Sequence, residues 1–257
     1  MKLSSGLSEY LRKISDDIRA VVAQDLVGLY LHGSIVQDDF RPGTSDIDVL
    51  GVVSGALSDS QRSDLASRVV QHEPPDRAAE LELILCPASA CSKPILEFPF
   101  EFALSTGAGA HAGSEPPGTA RDLLIDVSQC RQQGQRLFGP PPYEVLGPVP
   151  LGLLRKALFA EMHWHLGDIA GGSATSLTNA VLNAARSHHA ARTGEIVSKS
   201  EGGRLWLERA PSDGMVADAL SHRTRGEAAV LDQKQVHDFV SRTAAAIEEL
   251  RSEDHIT

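Results

Sequence analysis

The sequence predicts an α+β protein: a mixed sheet flanked by helices over residues 1–145, followed by an all-helical domain over residues 146–257. Three observations carry this expectation. In the first half, short apolar runs and apolar–polar alternation recur at strand length, between stretches with helical spacing. From Leu151 onward strand-like alternation is absent and long helical patterns follow one another. Between the halves, Pro140-Pro141-Pro142 and a linker-like stretch through Pro150 interrupt regular structure, which puts the boundary near 140–150.

The elements follow in order. Residues 7–24, LSEYLRKISDDIRAVVAQ, carry apolar positions at helical spacing and feed an apolar run, Leu26 to Leu31, that reads as a buried strand. The chain then passes His32-Gly33-Ser34 and a polar loop holding Pro42 and Gly43, and re-enters a strand as Ser45-Asp46-Ile47-Asp48-Val49-Leu50. Ala56 to Gln71 reads as a helix capped by Ser58 or Asp59, with Leu65, Val69 and Val70 facing inward. In RAAELELILC, Glu80, Glu82 and Ile84 fall on one face and Leu81, Leu83 and Leu85 on the other, the pattern of a strand. A further strand is expected around Phe100 to Leu104, and GAGAHAGSEPPG after it should be a surface loop. The segment from Asp122 to Gly139 leads to the proline stop. Helices are expected over Leu151 to Ala170, over Ser176 to Arg192 with Thr193-Gly194 as its stop, from Val216, and over Asp232 to Ser252 with Val236, Phe239, Val240 and Ile247 on one face.

The chemistry concentrates between the first two strands. Asp46 and Asp48, two apart on a strand, point to the same face because side chains alternate. Like charges held that close are costly unless a cation sits between them, and Mg²⁺, a hard ion with oxygen ligands, is the natural one. The Gly33-Ser34 turn supplies what a phosphate needs: a close backbone approach, free amides and a hydroxyl donor.

Gly33-Ser34, a gap of about a dozen residues, then Asp46-x-Asp48 on a strand resembles the signature of the polymerase-beta-type nucleotidyltransferases. The resemblance implies a nucleotidyltransferase domain in the first half, Mg²⁺ held by Asp46 and Asp48, and ATP as co-substrate. It also implies a third carboxylate on the neighbouring strand, acting in the metal site or as general base on the attacking hydroxyl. Arg77-Ala78-x-Glu80 is similar to the run before this glutamate in the aminoglycoside 3''-adenylyltransferases, which favours Glu80. The alternative register of the strand favours Glu82, and the sequence leaves both open.

The second half resembles the same adenylyltransferases more specifically. Arg186, Thr193-Gly194, Ser198-Lys199 and Trp206 stand in the order and spacing of that family's region where a helix ends in Thr-Gly and a Lys follows. The resemblance implies that Arg186 and Lys199 bind the nucleotide's phosphates, which a triphosphate with excess negative charge requires. It also sets Asp122, spaced from Arg131 as in the family, near the nucleotide; an N-cap carboxylate on a helix is the competing reading. Trp164 and Asp168 are the counterparts of the family's substrate-selecting Trp and acidic residues, with Trp164 equally readable as core. Three departures stand out: SHRTRGEA offers Arg223 and Arg225 where the family has a Tyr, the loop GGSATS lacks extra carboxylates, and His188 and His189 replace bulky aromatics. The expected activity is transfer of AMP from ATP to a hydroxyl of a small cationic antibiotic of the streptomycin or spectinomycin type. The alternatives are a nucleotidyltransferase of this fold acting on another small molecule or a protein, and a non-catalytic nucleotide-binding module.

Composition bounds the partners. At 257 residues with 42% hydrophobic residues, the chain can bury a sizeable core, and no apolar run approaches the length of a membrane span. A net charge of -10 argues against nonspecific nucleic-acid binding and for a cationic partner. Charges scattered through the N-terminus are unlike a secretory signal, and Cys86, Cys91 and Cys130 form no metal or redox pattern, so a cytoplasmic monomer is expected.

Overall fold

The computed structural model describes residues 3–107, 113–115, 117–120, 122–169 and 172–253. They form two compact units that divide between Val149 and Pro150.

In the first unit, α1 (Ser5–Val22) is capped by Ser4, whose hydroxyl accepts from the Leu7 N–H, and buries Leu7, Tyr10, Leu11, Ile14, Ile18 and Val22 along one stripe. Strand β1 (Leu26–His32) follows a short 3₁₀ turn. The chain then makes a single helical turn, α2 (Gly33–Val36), where sequence reading placed only a turn into a loop. After β2 (Ile47–Val53) comes α3 (Asp59–Val69), with a capping box between Ser58 and Gln61. Leu65 and Val69 are buried as expected, but the helix ends at Val69, and Val70, expected to face inward, is 54% exposed.

Next are β3 (Leu81–Pro87), α4 (Ala88–Ser92), β4 (Phe98–Phe100), β5 (Phe102–Ser105), β6 (Gly113–Glu115) and β7 (Gly118–Ala120). They are followed by α5 (Leu123–Gln133), β8 (Gln135–Phe138) and α6 (Pro142–Val145). The strand expected around Phe100 to Leu104 is broken at Glu101: β4 pairs with β7 in a separate ribbon while β5 stays on β3. Part of the expected surface loop is strand β6, paired with β5; residues 108–112 and 116 of that stretch lie outside the described residues. Strand β8 was not anticipated from sequence.

Among the described residues the main sheet has the order β6-β5-β3-β2-β1-β8, with β2 and β3 parallel and every other neighbouring pair antiparallel. The parallel pair arises because α3 carries the chain across from β2 to β3. One face of the sheet, with Leu29, Leu31, Ile47, Val49, Leu81, Leu83 and Leu85, packs on α1 and α3 as a single core. Alternation sends His32, Asp48 and Glu82 to the opposite face. Leu83 is fully buried at the middle of β3, so Leu83→Ala should cost about 2–5 kcal/mol in denaturant unfolding, the range for a buried leucine truncation. Cys86, Cys91 and Cys130 are all buried and free. A hydrogen bond with Cys91, followed by burial, pushes the Cys86 thiol up, and burial does the same to Cys130.

The second unit is helical throughout its described residues: α7 (Leu151–Asp168), α8 (Ala174–Thr193), α9 (Lys199–Arg209), α10 (Gly214–Arg225) and α11 (Gln233–Glu253). Sequence reading missed α9, whose few apolar residues give little periodic signal; its start is nonetheless explicit, because the Ser198 hydroxyl accepts from the Glu201 N–H. Thr193-Gly194 ends α8 as expected, with Gly194 in the left-handed region at φ +78°. Val236, Phe239, Val240 and Ile247 of α11 are buried, and the helix packs on both α7 and α8. Buried Arg155 ties these helices together by donating to the carbonyls of Ala191 and Leu250.

Candidate active site

Strand register builds an acidic cluster. Asp48 of β2 lies opposite His32 of β1 on one side and Glu82 of β3 on the other. One residue beyond, the Ile47 N–H donates to the Glu80 carbonyl, which aligns Asp46 with Glu80. Oxygens of Asp46, Glu80 and Glu82 all lie within 4.8 Å of one another. Asp46, expected from sequence to share a cation with Asp48, is joined in this group by Glu80 and Glu82, while Asp48 stands next to it, opposite Glu82 in the strand register. Three oxygen donors at this separation suit a hard divalent ion such as Mg²⁺.

Glu80 and Glu82 differ in surroundings. The Glu80 carboxylate accepts hydrogen bonds from the Ser105 hydroxyl and, at 3.0 Å, from the Gly107 N–H. Gly107 allows this, since a Cβ there would stand 2.2 Å from Glu80 Oε2. The Glu82 carboxyl is pushed up to about 8, by desolvation first and then by Asp48, Asp46, Asp126 and Glu80. Yet the Glu82 side chain is solvent-exposed by surface area, so the repulsion is the firmer cause and the part a bound cation would reverse.

Gly33 and Ser34 border this cluster. Gly33 has φ +70°, and a Cβ there would stand 1.6 Å from Asp48 Oδ2, so the backbone approaches the carboxylate as only glycine permits. The Ser34 hydroxyl is buried and has no hydrogen-bond partner among the described residues. Buried Ile35 pins the turn to the core. The following loop is closed by the Ser45 hydroxyl, which accepts from the Arg41 N–H, and by the Gly43 N–H, which donates to the Arg77 carbonyl at 2.6 Å.

Two groups here escaped sequence reading. Asp126 of α5 adds its charge to Glu82, and its only signal was position on a helix that packs against β1. His32 is buried beside Asp48; burial lowers its pKa against the opposing pull of Asp48 and Gln129, which keeps the ring neutral at pH 7. Asp122 is exposed at the start of α5 and makes no capping hydrogen bond to the helix. Arg131, its partner in the family spacing, donates to the carbonyls of Tyr143 and Leu146 and so fastens α5 to α6.

In the helical unit, Arg186 is half-buried on α8, and Lys199, the first residue of α9, donates to Asn179 Oδ1 at 3.4 Å. Trp164 is not core: it is 59% exposed, one turn of α7 before the exposed Asp168, whose carboxylate accepts from the Ser176 hydroxyl at 2.5 Å. His188 packs edge-on against Trp206, which in turn packs against Phe239 and donates to Asp213, so these aromatics belong to the helical packing.

Comparison with known proteins adds the family. Residues 144–246 match the family model described as "Aminoglycoside adenylyltransferase, C-terminal domain". The chain is 30% identical over 190 residues to a spectinomycin 9-adenylyltransferase of Staphylococcus aureus, covering 71% of each chain. A second relative, the spectinomycin 9-adenylyltransferase of Enterococcus faecalis, is 24% identical over 227 residues, covering 84% of this chain and 83% of the relative. In fold, the chain is similar to the crystal structure of spectinomycin adenyltransferase AAD(9) from Enterococcus faecialis with ATP and spectinomycin. That match has TM-score 0.76 at 20% identity and covers 94% of this chain and 99% of the other. With its mixed-sheet first unit, its helical second unit and this degree of identity, the chain belongs to the aminoglycoside adenylyltransferase family.

Proposed function

We propose that this protein transfers AMP from ATP to a hydroxyl of an aminocyclitol antibiotic of the spectinomycin type. The observation that carries this reading is the carboxylate group on two adjacent parallel strands, bordered by a glycine-led turn with an unpartnered buried hydroxyl at Ser34. Asp46 and Asp48, with Glu82 beside Asp48, would hold Mg²⁺, which neutralises charge on a triphosphate when bound. The Ser34 hydroxyl, the amides of the turn, Arg186 and Lys199 bind phosphate oxygens, and Asp122 lies toward the nucleotide. We assign the general base to Glu80, because the Ser105 hydroxyl and the Gly107 N–H hold its carboxylate in one orientation. The acceptor hydroxyl attacks the α-phosphorus, a new P–O bond forms, the bond to pyrophosphate breaks, and the hydroxyl proton passes to Glu80. The enzyme is proposed to work as a monomer in the cytoplasm, where ATP is supplied.

For the acceptor, exposed Trp164 and Asp168 present an aromatic face and a carboxylate one turn apart, which suits a compact cationic ring system. The relatives named for spectinomycin support that choice over streptomycin. The test is pyrophosphate release with Mg²⁺ and ATP against spectinomycin, streptomycin and other aminoglycosides. Release with spectinomycin, abolished by Asp46→Asn, is expected; silence across the panel would overturn the substrate assignment. Trp164→Ala should raise KM for spectinomycin on the order of tenfold, the loss of one stacking contact, with the thermal midpoint unchanged because the ring is exposed.

A further inference from the structure

The first unit holds a cavity of about 400 Å³ on the α1 side of β2, the face opposite to the one that presents Asp46 and Asp48. Leu7 of α1 and Ile47 of β2 are core residues and make its floor apolar, and Phe40 adds an aromatic ring. Its polar wall is Ser4, Asp38, Arg41 and Asp76. Arg41 is the one cation among the described lining residues, and its Nη2 is already paired with Asp39 Oδ1 at 3.3 Å. The Arg41 Nε is buried and has no hydrogen-bond partner among the described residues. Arg77 does not line the cavity; its Nη2 lies 3.8 Å from where a Cβ on Gly43 would stand. Asp39 offsets the charge of Arg41, so the field in the cavity is that of the Asp38 and Asp76 carboxylates. Both of these residues take left-handed backbone angles, φ +55° and +57°, where glycine is the default residue, and both are aspartate. With Arg77 at φ +57°, three of the four non-glycine residues of positive φ among the described residues stand at this cavity or next to it. Backbone strain of this kind gathers where a chain clamps a ligand.

We propose that this cavity is a second binding site, built for a small organic cation: an ammonium group on a compact apolar ring, with an oxygen acceptor between the two. The ammonium is drawn by Asp38 and Asp76, the ring leaves water against Leu7, Phe40 and Ile47, and the oxygen accepts from the orphaned Arg41 Nε. The volume falls in the range of small-molecule pockets, roughly 300–1,000 Å³, which hold an apolar body and a few placed polar groups. An anion of the same shape meets two carboxylates, and a neutral molecule gains nothing from them. The site lies in the first unit, apart from the Trp164 and Asp168 assigned to the acceptor. It does not depend on the adenylyl-transfer reading.

The test titrates the full-length protein with three probes that share a phenyl ring and a neighbouring hydroxyl: phenylethanolamine, styrene glycol and mandelate, which carry an ammonium, no charge and a carboxylate. Binding is read from ligand-observed NMR signals at low salt. Phenylethanolamine is expected to bind with Kd in about the millimolar range, styrene glycol about tenfold more weakly, and mandelate not measurably. Asp38→Asn and Asp76→Asn should each weaken phenylethanolamine about threefold and their combination about tenfold, with styrene glycol unaffected. Both residues are exposed, so folding should survive; should the double variant not fold, the single variants decide. Absent binding of phenylethanolamine, equal affinity for all three probes, or unchanged affinity in the carboxylate variants overturns the inference. Asp46→Asn and Trp164→Ala are the controls, since the catalytic carboxylates and the acceptor face also attract cations. Both should bind phenylethanolamine as the wild type does. Loss of binding in either one assigns the amine to that other place and overturns the inference equally. Pyrophosphate release with spectinomycin is a separate measurement, so the activity and this site stand or fall independently.

Discussion

Asp48→Asn is expected to lower adenylyl transfer by about three orders of magnitude or more, with the fold intact. The substitution keeps the shape of the side chain and removes one full charge from the point where β1, β2 and β3 bring His32, Asp48 and Glu82 side by side. A cation neutralising phosphate charge contributes several kcal/mol to a transition state, and about 4 kcal/mol corresponds to a thousandfold. Stability should hold because Asp48 stands among carboxylates that repel it, and its loss relieves Glu82. The measurement is the rate of pyrophosphate release at saturating Mg²⁺, with far-UV circular dichroism as the check on folding. A folded variant retaining a tenth of wild-type activity would remove Asp48 from the site.

Gly33→Ala should follow, with a loss of activity on the order of a hundredfold and a stability loss of about 1–2 kcal/mol. Two separate costs meet at this residue. An alanine at φ +70° is strained wherever it occurs, and here its Cβ would also lie 1.6 Å from an oxygen of Asp48. Either the Asp48 carboxylate rotates away from the cluster or the helical turn carrying the Ser34 hydroxyl lifts off, and both remove a functional group. Gly194 provides the control. It has a similar φ of +78°, but the nearest atom to its Cβ is Leu151 Cδ1 at 3.8 Å, so Gly194→Ala should cost stability without a comparable loss of activity. Equal effects of the two substitutions on kcat would refute the argument from close approach.

The parts of this fold that were readable in advance are those where one residue pattern decides one element. The alternation in RAAELELILC separated three buried leucines from Glu80 and Glu82 without knowledge of any partner strand. The Thr193-Gly194 stop and the Asp46-x-Asp48 strand were legible for the same local reason. What escaped depends on contacts distant in sequence. Strand β8 exists because β1 offers it an edge, and α9, with its polar composition, is held by packing on α8 and α10. Asp126 drew no notice because it stands on a helix with nothing beside it in sequence to mark it. Its meaning comes from Glu82 on β3. The difference between Glu80 and Glu82 lay in Ser105 and Gly107, about two dozen residues downstream, which no reading of the strand alone could weigh.

The distribution of two residue types makes each half of the chain separately observable. Every cysteine, Cys86, Cys91 and Cys130, is buried in the first unit, so alkylating reagents gain access only when that unit opens. Both tryptophans, Trp164 and Trp206, lie in the helical unit, and Trp206 is packed against His188 and Phe239. Thiol labelling thus tracks one unit and indole emission the other, in the unmodified protein. A gap between their denaturation midpoints would measure how far the two halves melt as separate cooperative bodies, and ATP added to the same experiment would show which half it protects.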